Sequence, residues 1–248
     1  NDTLPKRIVD NVWLDQIDAS TPDWQKALAQ LEKLKEFALE KGSVNIAAIA
    51  IRSIALIKNE YLQDRDGAVR AISEGIKALG RHPELTNYEA KIAFIDRDYT
   101  SALKIWNRVL PDLARYGDLT AAFAFRDAAV SAAQTNDWAS AAKYSKLASN
   151  YTDKQREKVY KAQCIADYGF ALWKLEKYPE ALDAFAQVIE AFSQLPDPRQ
   201  NLRVLGLLKM TSNALIYFQK TVNPDFRNIG MPYTEPFPGS FSQLEFSE

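Results

Sequence analysis

The strongest constraint in this chain is a small residue that returns at near-regular spacing with a bulky one fixed in front of it. In KYPEALDAF (177 to 185) an aromatic precedes Ala181 by three positions and another follows it by four. DYTSALKIW (98 to 106) and DWASAAKYS (137 to 145) repeat the figure around Ala102 and Ala141, and Ala68 and Ala27 continue it backwards. The steps between these alanines are 40, 39, 34 and 41 residues. The residue three before is Tyr178, Trp138, Tyr99 and Trp24 in four cases, and Arg65 breaks the series. Seven after each alanine stand Val188, Ala148, Val109, Gly75 and Leu34. Twelve before stand Gly169, Ala129, Ala90 and Leu56. Periods of this length indicate stacked helical hairpins, each covering the apolar face of its neighbour.

The local pattern is helical almost throughout. Nine glycines in 248 residues are few, and the abundant alanine, leucine, lysine and glutamate favour helix. The segment 23 to 42 carries Trp24, Leu28, Leu31, Leu34 and Phe37 at spacings of three and four. Thr21 and Pro22 read as its cap and first residue, and Gly42 as its stop. Further helices are expected over 44 to 61, 64 to 80, 85 to 96, 98 to 114, 119 to 135, 137 to 151, 153 to 175, 178 to 193 and 198 to 220. Thr152 and Gln155 have the spacing of a capping box. The expected contact within a hairpin puts Gly169 against Ala181, because helices approach closely only where side chains are small. The first aromatic should close the hairpin, and Phe185 or Trp106 should fill the space toward the next one.

Tyr168-Gly169, Leu172, Tyr178, Ala181, Phe185 and Val188 resemble, in order, the Leu-Gly, Tyr, Tyr, Ala, Phe and Ala positions of the tetratricopeptide repeat family. The resemblance covers roughly residues 8 to 193. Its period exceeds the family's usual 34 and is similar to longer-helix variants in the sensor arms of large signalling ATPases and transcription activators. It implies an all-α fold: a right-handed α-solenoid of about five helical hairpins over residues 1 to 222, including a C-terminal capping helix. A non-helical, proline- and aromatic-rich tail over 223 to 248 would pack on the solenoid or act as a linker. It also implies a concave groove lined by the first helix of each hairpin. The groove positions are Tyr88, Lys91 and Phe94; Phe123, Arg126, Asp127 and Val130; and Asp167, Phe170, Trp173 and Lys174. The alternative is that Phe94, Phe123 and Phe170 pack between hairpins while Arg126 pairs with Asp127 or another neighbour. Arg126 stands where the family's carboxylate-clamp subtype has a lysine, but Val130 occupies an asparagine position, so the clamp reading fails.

Residues for chemistry are sparse. His82, beside Pro83, reads as an exposed loop histidine, and Cys164 as a small buried hydrophobe. Neither belongs to a set with metal-ligand spacing. No phosphate loop, nucleophile elbow or zinc-protease helix is present. Asp96 and Asp98 read as helix-end residues. The basic run over 153 to 161 includes acids and reads as a solvated helix face. A net charge of -1 provides no global field for nucleic acid or anionic membrane. The longest apolar run, 44 to 57, is interrupted by Arg52 and is too short to span a bilayer.

The expected function is therefore a protein- or peptide-binding scaffold without catalytic residues or cofactor, the sensing or docking region of a larger protein. The alternatives are a regulatory subunit or enzyme with a site between helices, and a structural spacer. The expected partner is a protein or peptide, not nucleic acid, with no membrane insertion. The expected location is cytoplasmic, with an extracytoplasmic processed chain as the alternative. The alanine register has a direct test. Ala181→Leu should overpack the helix contact and cost about 1 to 3 kcal/mol, seen as a lowered thermal midpoint; an unchanged midpoint refutes the register.

Overall fold

The computed structural model describes residues 22–115, 119–151 and 158–193, together with helical residues 9, 11–13, 15 and 16. The expected helix over 198–220, the Thr152–Gln155 box and the tail from 223 lie outside the described residues. Among the described residues there are helices and no strands. They are α1 (Trp24–Glu40), α2 (Val44–Leu56) prolonged by a π-helical turn (Ile57–Tyr61), α3 (Arg65–Leu79), α4 (Pro83–Ile95), α5 (Tyr99–Leu113), α6 (Leu119–Gln134), α7 (Trp138–Asn150), α8 (Lys158–Lys174) and α9 (Tyr178–Ser193). None of them is long and apolar enough to cross a membrane. The chain forms two compact units, Asn1–Val109 and Leu110–Glu248. Within each unit neighbouring helices pack in sequence order.

One start signal and one stop signal recur. Asp23, Asp64, Asp98 and Asp137 each accept a hydrogen bond from the backbone N–H three residues on, at 2.9, 2.8, 3.1 and 3.1 Å. Each such cap is worth about 1 kcal/mol. For α1 the cap is Asp23 and the first helical residue Trp24, so Thr21 and Pro22 do not take those roles. Pro179 follows Tyr178, the first residue of α9, at a position whose N–H has no intrahelical acceptor. Five of the stops use a left-handed residue: Gly42, Gln63, Arg97, Asn136 and Glu176, with φ of 66, 55, 61, 60 and 60°. The next N–H then bonds back to a carbonyl of the last turn: Ser43 to Ala38, Asp64 to Lys58, Asp98 to Ala93, Asp137 to Ala132 and Lys177 to Leu172, at 2.7 to 3.0 Å. This is the Schellman closure.

The Asp64 bond reaches back one residue farther than the others, across the π-helical turn. That inserted residue changes the register of α2. Ala55, rather than Leu56, is fully buried and clusters with Ala68. Leu56 is partly buried at the edge of the same cluster.

Ala27, Ala68, Ala102, Ala141 and Ala181 are all completely buried, as the repeat requires. Their partners differ from the expected ones. The turn at Glu176 sets Ala184 and Phe185 opposite Gly169: a Cβ on Gly169 would lie 3.1 Å from the Ala184 Cβ and 2.9 Å from Phe185 Cε1. Ala181 clusters instead with Leu172 and Phe185. Phe185 thus packs within its own hairpin. Trp106 does likewise, donating from Nε1 to Asn87 Oδ1 at 2.9 Å and meeting the Phe94 ring edge-on. Both rings point back to the first helix because they share the face of the second helix that carries the small residue.

The bulky residue that opens each second helix has two uses. Tyr99 and Tyr178 pack edge-on against Phe94 and Trp173 of the preceding helix. Trp24 stacks on Tyr61 at 3.8 Å, and Trp138 meets Phe170 at 5.8 Å, both on the first helix of the following hairpin. Arg65 makes the same span with hydrogen bonds. Its guanidinium donates to Asn59 Oδ1 and to the Ile92 carbonyl, and pairs with Asp96 at 2.6 Å. The break in the aromatic series is therefore a change of chemistry at a conserved geometric task.

Gly169→Ala should lower stability by about 1 to 2 kcal/mol although alanine is the better helix former, because the added methyl has no room against Ala184 and Phe185. Chemical denaturation measures this; a gain in stability would contradict the close approach.

Candidate docking face of the first helices

In the second unit, α6 and α8 are the first helices of successive hairpins. On α6, Phe123, Arg126, Asp127 and Val130 recur at three- and four-residue spacing and share one face. On α8, Tyr160, Cys164 and Asp167 do the same. The two rows meet. Arg126 Nε donates to Asp167 Oδ2 at 3.2 Å. The guanidinium lies 5.8 Å from the Tyr160 ring centre, within cation–π range. Phe123 packs edge-on to Tyr160 at 4.9 Å, and the Tyr160 hydroxyl donates to the Ala122 carbonyl at 3.4 Å. The partner of Arg126 is thus a residue 41 positions away on the next first helix. Tyr160, absent from the expected groove set, is what Phe123 and Arg126 share.

Burial is graded across this cluster. Phe123 is 50% exposed. The Arg126 side chain is 20% exposed and that of Asp167 fully buried. Asp167 Oδ1 has no hydrogen-bond partner. Loss of solvation raises the Asp167 carboxyl to about 6, against the opposing pull of Arg126. For Arg126 burial opposes the charge, but the Asp167 carboxylate, with Asp127, outweighs it and holds the guanidinium protonated. Burial pushes the Tyr160 phenol and the Cys164 thiol upward, so both stay neutral. Cys164 is the buried, unreactive residue expected of its helix position. Among the described residues no hydrogen bond engages the Arg126 Nη groups. The face therefore combines an exposed ring with a fixed cation, which suits an apolar side chain beside an acceptor.

The remaining expected groove residues are placed as follows. Phe170 is buried against Trp138, and Lys174 lies 5.5 and 5.6 Å above the Phe170 and Trp138 rings. Trp173 is half-buried against Tyr178, and Val130 is buried. Asp127 is half-buried on α6. In the first unit Tyr88 lies in the core beside Leu85 and Ile72. Burial raises its phenol, whose oxygen has no partner. Lys91 sits over the half-buried Phe94 ring at 5.0 Å. The α2–α4 seam also carries Arg52 Nε 3.3 Å from Glu84 Oε2.

A cleft of about 240 Å³ opens in the first unit between α1, α2 and α3, where Gly67, Ala71, Gly75 and Ala78 leave space below Lys35, Lys58 and Arg70. Gly75 is required by packing, since a Cβ there would meet Ile51 Cγ2 at 2.8 Å. No group of metal-ligating side chains occurs among the described residues. No protein-family model matches the chain, and no curated protein matches it.

His82 is not an exposed loop residue. It is half-buried and caps α4, its Nδ1 accepting from the Glu84 N–H at 3.3 Å. Nε2 therefore carries the proton and donates to Asn45 Oδ1 at 2.9 Å. Burial lowers its proton affinity, with Glu84 partly opposing. A histidine depressed in the folded state contributes stability in full above its unfolded pKa of about 6.5 and loses it as pH falls through the folded value. His82→Asn keeps a cap acceptor at every pH. The thermal midpoint of the wild type should thus fall relative to His82→Asn as pH drops through this range. Parallel curves would show that the cap is not proton-linked.

Proposed function

We propose that this chain is a binding scaffold for a protein or peptide, built as a long-period tetratricopeptide-like right-handed solenoid, with the first helices of its hairpins as the docking face. One observation carries the reading: Phe123, half exposed, stands beside an Arg126 guanidinium whose Nη groups bond nothing among the described residues. A spacer needs neither an exposed ring nor a fixed cation on that face. Rings and arginine held in place are the residues that dominate binding energy at interfaces. The five-fold return of the buried alanine and of the left-handed stop, with the aspartate cap at four of the starts, supports the solenoid. The alternative of an enzyme or regulatory subunit with a site between helices asks for titratable groups gathered in a cleft. Here the Asp167–Tyr160–Cys164 cluster belongs to the second unit and the described cleft to the first. The docking reading takes a protein or peptide, not nucleic acid, as the partner and places the chain in the cytoplasm, with an extracytoplasmic processed chain as the alternative.

The test is a peptide array probed with the purified chain, followed by titration of the best binders against Phe123→Ala and Arg126→Gln. Each variant should weaken binding about tenfold, equivalent to about 1.4 kcal/mol. Phe123→Ala removes an exposed ring and leaves the fold intact. If both variants keep wild-type affinity for every binder, the first-helix face is not the docking face.

A further inference from the structure

Asp167 and Arg126 form an unequal pair. The carboxylate has no access to water, receives one hydrogen bond at 3.2 Å, and leaves Oδ1 with no partner. A buried carboxylate that keeps its charge comfortably gathers two or three donors. With one donor, its loss of hydration is poorly compensated. Arg126 is a fifth exposed and can exchange its bond to α8 for water or an acceptor at the surface. The cheapest relief is therefore a proton on the aspartate.

We propose that this pair is a proton-operated latch: protonation of Asp167 releases Arg126 from α8 and frees its guanidinium on the face between α6 and α8. One proton from solvent adds to the Asp167 carboxylate. The charge-assisted Nε–H···Oδ2 bond is lost, and Arg126 keeps its positive charge. The groups facing the pair are few. From α6 they are Arg126 and Asp127; from α8, Tyr160 and Cys164. Tyr160 and Cys164 are held neutral by burial and do not compete for the proton. Asp127 also acts on the Arg126 guanidinium electrostatically. Neither α7 nor α9 contributes a charged group acting on Asp167.

The direction follows from linkage. The folded carboxyl, at about 6, lies above the unfolded value of about 3.9. The contribution of Asp167 to stability is then complete below the unfolded value and lost as pH rises through about 6. The latched, ionised state is the costly one, and mild acid opens it. The consequence for docking rests on the function proposed above; the latch itself does not.

The experiment needs no partner. In the full chain, NMR follows the Asp167 side-chain carboxyl carbon and the protection of the Arg126 Nε–H between about pH 7.5 and 5. The carboxyl should titrate with a midpoint near 6, and Nε–H protection should fall about tenfold over the same range. In Asp167→Asn the protection should be low and independent of pH. A carboxyl midpoint below about 4.5, or an Arg126 Nε–H equally protected at both ends of the range, overturns the latch. Both outcomes are read on the wild-type chain, so a poorly folded variant does not blunt the test.

Discussion

The structure depends on the close approach of neighbouring helices where their side chains are small. Where Gly169 faces Ala184 and Phe185, even a methyl group has no room. The completely buried alanine at the fourth position of each second helix serves the same end. Close contact would be of little use without a turn that sets the register. The left-handed stop residue and the aspartate at the next start supply it repeatedly. These two devices fix which faces remain to be covered by the next hairpin.

Between successive first helices the packing is of another kind. In the first unit Arg52 stands near Glu84 and Tyr88; in the second, Arg126 binds Asp167. Tyr88 and Asp167 occupy the same repeat position, two residues before the small contact residues Ala90 and Gly169. Both are buried polar groups with an oxygen lacking a partner. Such seams are weak sources of stability, because desolvation consumes much of the Coulombic gain. They do place guanidinium groups at the edge of a face otherwise made of aliphatic and aromatic carbon.

Much of the fold was legible in the residues. The visible helix boundaries fall within a few residues of those read from apolar periodicity, and the alanine register holds even around Ala27 and Ala68. The π-helical turn was not legible, because a one-residue insertion leaves the apolar spacing nearly unchanged while moving Ala55 to the contact in place of Leu56. His82 gave no cap signal because histidine lies outside the usual set of capping residues. The candidate face was legible only in part. Arg126, Asp127 and Asp167 were named from helix position, but Tyr160 was not, since its role arises from where α8 crosses α6.

Composition and periodicity alone determined that the described residues are helical, with short turns and recurring small residues on the second helices. These are properties of single helices and neighbouring pairs, and their causes lie within about forty residues of sequence. Tertiary structure decided which partner each small residue meets. It also decided that Arg65 replaces an aromatic arm, and that Asp167 is buried with one donor while Arg126 keeps an edge to solvent. The reason is geometric. Helical period tells which residues share a face, but burial and pairing depend on the rotation and offset of the helix that covers that face.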